Sequence, residues 1–65
     1  MTIPPGYAQL RNRMVRLYRT RAIEALHHAR LARDAGDMVH MRSCLVAVRF
    51  WRRAANTWAR KVLQP

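Results

Sequence analysis

Apolar residues recur along this chain at the three- and four-residue intervals of an α-helix, without the strict alternation of a half-buried strand. The repeat is interrupted once, at Asp34-Ala35-Gly36-Asp37. Glycine there suits the left-handed position that closes a helix, and Asp37 suits the N-cap of the next. Pro4-Pro5-Gly6 sets off a short N-terminal arm. The pattern predicts a helix over about 7–35, a turn at 34–37 and a second helix over about 38–63. Together they form one all-α domain, a two-helix antiparallel hairpin. At ~1.5 Å per residue each helix is roughly 40 Å long.

Placing residues 100° apart separates the faces of each helix. On the first, Tyr7, Leu10, Met14, Val15, Tyr18, Ala22, Ala25, Leu26, Ala29 and Ala32 share a broad inner side. Gln9, Asn12, Arg13, Arg16, Arg19, Glu24, His27, Arg30 and Asp34 lie opposite, together with the isolated apolar residues Ile23 and Leu31. The second helix is more ordered. Met41, Cys44, Val48, Trp51, Ala55, Trp58 and Val62 follow the alternating spacing of a heptad seam. Val39, Val46, Phe50, Ala54 and Thr57 form a second apolar line beside it, and Arg42, Arg49, Arg53, Asn56 and Arg60 form a polar stripe. Two seams on one helix require two neighbours. The first helix supplies one, and a second copy of the chain supplies the other, which predicts a homodimeric four-helix bundle. The seam Met41, Cys44, Val48, Trp51, Ala55, Trp58 and Val62 is then expected at the dimer or partner interface.

The bundle is also what the size of the chain asks for, because 65 residues bury only a marginal fraction of their surface alone. A single cysteine excludes an intrachain disulfide and fits a reducing compartment. The N-terminal sequence lacks the apolar segment of a secretory signal, and no apolar run is long enough to span a bilayer. These features point to a cytoplasmic location.

Charge changes the functional picture more than the fold. Thirteen Lys and Arg against three Asp and Glu give a net charge of +10. In the hairpin, Arg11, Arg13, Arg16, Arg19, Arg21, Arg49, Arg52, Arg53, Arg60 and Lys61 gather at the end away from the turn. Near the turn, Arg30, Arg33 and Arg42 are expected to be balanced by Glu24, Asp34 and Asp37. Like charges so close repel one another and cost stability, so a polyanion is the natural partner. Nucleic acid is the leading candidate, bound through phosphates by Arg13, Arg16, Arg19, Arg49, Arg52, Arg53 and Arg60. Trp51 and Trp58 share the seam rather than the arginine stripe, which assigns them to packing instead of base stacking. In length and architecture alone, the expected bundle resembles plasmid-encoded RNA-binding hairpin dimers of the Rop type; no residue is carried over. The stretch ALHHARLARDAGD resembles one hairpin of a helical-repeat protein, but no period recurs.

The alternative is a small inhibitor or adaptor in the style of phage and plasmid proteins. It would bind a host or acidic regulatory protein through the apolar seam of the second helix, with arginines at its margins. A membrane surface fits less well, since a matching first helix accounts for the amphipathic second one. The chain carries no enzyme signature. Cys44 and His40 are the only imaginable nucleophile and base, and two helices offer no concave pocket for them. His28, His40 and Cys44 have a workable metal-ligand spacing but no CxxC or HExxH pattern, so neither a metal nor another cofactor is expected.

Overall fold

The computed structural model describes residues 6–61. Two helices, α1 (Tyr7–Asp34) and α2 (Met38–Arg60), pack side by side as an antiparallel hairpin. Gly6, at φ 84°, precedes α1 in the left-handed region, and its carbonyl accepts the amide of Leu10 at 3.0 Å.

The turn does two jobs in three residues. Gly36 sits at φ 76°. The amide of Asp37 reaches back to the carbonyl of Ala32 at 2.9 Å, and that of Gly36 to Arg33 at 3.0 Å. This pair of bonds is the Schellman closure, which satisfies carbonyls that a helix end otherwise leaves open. The Asp37 carboxylate then accepts the amide of His40 at 3.0 Å and so caps α2. Asp37→Ala is expected to lower stability by about 1 kcal/mol, read as a shift of the urea midpoint with unchanged slope.

The heptad on α2 has the predicted phase but a different neighbour. Expected at a dimer or partner interface, it packs against α1 of the same chain, because its large residues fill the space over the alanine face of α1. Val48 and Ala55 are buried, while Met41, Cys44, Trp51 and Trp58 are half-buried against α1. Val62 lies outside the described residues. Facing them on α1 are Ala22, Ala29 and Ala32, which are buried, and Tyr7, Met14, Tyr18 and Ala25, which are half-buried. Small residues toward the turn let the two backbones approach; larger ones fill the open end. Tyr18 and Trp51 stack across the seam, with ring centroids 5.5 Å apart and planes inclined by 19°.

One inner position is reassigned. Leu10 stands at the flank of α1 and is exposed, and Arg11 occupies the seam position instead. Its guanidinium donates to the Ala59 carbonyl at 3.5 Å and to Asn12 Oδ1 at 3.0 Å, while its Nε is buried without a partner. The aliphatic stem covers apolar surface while the cation lies at the C-terminal, negative end of α2.

The core of a single hairpin is thin. Among the described residues, those buried are four alanines and one valine, and no large side chain is fully enclosed. Val39, Val46 and Phe50, the second apolar line of α2, remain 81%, 64% and 61% exposed. No helix among the described residues is long and apolar enough to cross a membrane.

Candidate anion-binding surface

Two helices side by side make a flat body with two broad faces and two edges. The arginines are exposed, Arg11 excepted, but they do not share one face. On α1, the residues Arg16, Arg19, Ile23, Leu26, Arg30 and Arg33 follow an alternating three-four spacing of their own, about 90° from the seam. This line gives one broad face a row of cations over an apolar floor.

Three shallow grooves run along that face. Near the open end, Asn12, Val15, Arg16, Arg19, Thr20 and Ile23 line the first. At the middle, Arg19, Ala22, Ile23 and Leu26 of α1 meet Arg52 of α2. Toward the turn, Leu26, Ala29, Arg30 and Arg33 meet Met41 and Leu45. The arginines of this face come from both helices, and packing of the seam fixes their separation. Of these cations only Arg33 has an acidic partner among the described residues, Asp34 at 3.4 Å.

The other expected contact residues divide between sides. Arg49, about 100° around the helix from the buried Val48, stands on the same side of α2 as Arg52, whereas Arg60 lies toward the outer edge of α2 and Arg13 toward the outer edge of α1. Arg53 borders the opposite face, beside Phe50, Ala54, Thr57 and Trp58. The structure therefore brings Arg16, Arg19, Arg49 and Arg52 of the expected set to one side and separates them from Arg13, Arg53 and Arg60. It adds Arg30 and Arg33, which sequence reasoning assigned to a neutralised turn.

That neutralisation takes a different form. Glu24 pairs with Arg21 at 3.4 Å, not with a turn-end arginine, and Asp37 serves as a helix cap. Arg21 is thereby removed from the set of free cations at the open end. Arg30 and Arg42 have no ion pair among the described residues.

Arg11 also drops out of the exposed set, which yields a test. Arg11→Met keeps the seam filled and removes the orphaned Nε. Stability should stay within about 1 kcal/mol of the parent, because a partly buried cation is weakly stabilising at best. If the arginine face binds nucleic acid, the salt dependence of that binding should be unaltered. A shallower slope in a salt titration would show that Arg11 reaches a phosphate.

His40 Nε2 and Cys44 Sγ come within 3.6 Å on the surface of α2. His28 does not join them; its ring lies 5.9 Å from that of His27, on α1. Among the described residues no three His, Cys, Asp or Glu side chains gather as a metal site. Trp51 packs between Tyr18 and Phe50, and Trp58 carries the Lys61 ammonium 4.3 Å from its ring centre. Neither tryptophan stands on the arginine face.

No protein-family model, curated protein or solved structure matches this chain.

Proposed function

We propose that this chain is a small, non-enzymatic, basic regulatory protein that docks nucleic acid on its arginine face and works as a homodimeric four-helix bundle in the cytoplasm. One observation carries the reading. Arg16, Arg19, Arg30 and Arg52, from two helices, stand exposed in one direction without an acidic partner among the described residues. The net charge of +10 supports it. Each guanidinium presents a planar fork that matches phosphate oxygens. Residues 16 to 33 span about 26 Å of helix, long enough to follow several successive phosphates. Contacts of this kind position a helix on a backbone and carry little sequence information. Binding is therefore tolerant of sequence and driven by release of counterions.

The test is fluorescence anisotropy of labelled duplex DNA and of single-stranded RNA across a salt series, with the mass in solution measured on the same sample. Submicromolar affinity that falls steeply with salt is expected. Absence of binding at low salt by a folded protein would overturn the reading.

A second reading rests on the exposure of Val39, Val46 and Phe50. An apolar line left open on a hairpin can receive an amphipathic helix from a host or regulatory protein, which would make the chain an inhibitor or adaptor. The mass in solution separates the two. A dimer closes the line on itself, and a monomer leaves it open for a partner.

A further inference from the structure

The broad face opposite the arginines has a different character. Leu10 and Leu17 of α1 and Phe50 and Ala54 of α2 lie on it, with Val46 at the outer edge of α2, and its large residues are exposed in the single hairpin. Its charge nearly cancels. Arg21 and Glu24 pair with each other, and Lys61 sits at one end over the Trp58 ring. Arg13 and Arg53 stand at its rim, where solvent reaches them. We propose that a second copy of the chain covers this face, and that the resulting dimer holds two nucleic-acid duplexes, one on each outer side.

Three observations select a second copy as the occupant. The hairpin measures 52 × 15 × 10 Å between Cα extremes, so its broad face offers about 800 Å², close to what each partner of a standard specific interface buries. Among the described residues a core of four alanines and a valine leaves the hairpin short of enclosed apolar volume, and Leu10, Leu17 and Phe50 would supply it. Charge decides the rest. An acidic protein would be drawn to the arginine face, whereas two chains of +10 must meet where their charge is least. Pairing through the apolar face directs both arginine faces outward.

The consequence is bivalence. Two layers of helices separate the outward faces by roughly 20 Å, and the faces point in opposite directions. One straight duplex cannot touch both, so each dimer links two duplexes or two distant segments of one. The inference rests on the nucleic-acid reading given above.

The experiment uses two duplexes, one with a donor dye and one with an acceptor, titrated with the full chain at moderate salt. Energy transfer should rise, pass through a maximum near one dimer per two duplexes and fall in excess protein, as each duplex acquires its own dimer. The variant Leu17→Gln/Phe50→Gln leaves the net charge unchanged. It should weaken dimerisation about 100-fold and abolish energy transfer, while each duplex alone still binds. Leu31→Gln, at an exposed residue on the outer edge of α1 that lines none of the arginine-face grooves, should leave mass and energy transfer as they were. If loss of the partner also loosens the fold, helicity becomes concentration-dependent, and the same ranking of variants is read from circular dichroism against protein concentration. Binding by a dimer without energy transfer would overturn the bridging inference. Bridging that survives in the double-glutamine variant, or that fails in Leu31→Gln, would overturn the assignment of the pairing face. Absence of binding to either duplex would remove the nucleic-acid reading itself, and bridging with it.

Discussion

Arg19→Glu combined with Arg52→Glu should reduce duplex affinity by about 100-fold at moderate salt, the largest effect expected of any surface change. Both residues are exposed and both line the groove in which α1 and α2 meet on the arginine face. Reversal takes two cations away from the phosphates and puts repulsion in their place. The slope of log affinity against log salt should become shallower by roughly 0.9 for each phosphate that is no longer neutralised. Folding should be untouched, because neither side chain has an ion pair among the described residues or is buried. The comparison that gives the result meaning is Arg53→Glu with Arg60→Glu. That pair changes the net charge identically but lies away from the groove, and it should cost far less. Equal reductions from the two pairs would show that the field of the whole molecule, not the arginine face, sets the affinity.

Trp51→Ala should be the most damaging change to the fold. Trp51 stacks on Tyr18 across the seam and meets Phe50 edge-on at 4.9 Å, making it the principal tie between the helices above the alanine-lined end. Truncating a packed aromatic costs about 3 kcal/mol or more. Since a chain of this size has only a few kcal/mol to lose, the variant should lose cooperative unfolding in urea followed by far-ultraviolet circular dichroism. Tyr18→Phe keeps the stacking partner and should change little. Trp58 is half-buried nearer the open end and shares its ring with Lys61. Its truncation should therefore be milder. A Trp51→Ala protein that unfolds like the parent would mean that the seam is held mainly by its aliphatic residues.

Much of this fold is legible in the sequence because the signals are strong where they matter. Gly36 and Asp37 supply a left-handed residue and a cap in adjacent positions, and the helices end and begin around them. On α2 the seam is drawn in large residues, so its phase is unambiguous, and Val48, Trp51 and Ala55 face α1 as the spacing requires. The first helix is harder. Its inner face is mostly alanine, which differs too little from its surroundings to fix the rotation of the helix. Periodicity alone therefore draws Leu10 inward and passes over Arg11, although the long stem of arginine serves a seam position well. The anion-binding surface is legible in kind but not in membership. Reading cations by their distance from the turn places Arg30 and Arg33 with the carboxylates. Reading them by angle finds the three-four line from Arg16 to Arg33. Glu24 illustrates the same lesson, since a partner three residues away on its own helix prevails over one across the turn.

The brevity of the connection has a bearing on how quickly the chain reaches its native state. Only Ala35, Gly36 and Asp37 separate the two helices, so the first interhelical pairs to form enclose short loops and lose little entropy. Each later pair adds only slightly to that loss, and pairing can advance from the turn toward the termini like a zipper. Local topology of this kind belongs with the fastest folding domains, on the order of microseconds to milliseconds. Thermal fluctuations should open the hairpin in the reverse direction. The bond from Arg11 to Ala59 would break early, and the amides of the buried seam around Ala29 and Val48 would exchange with solvent last.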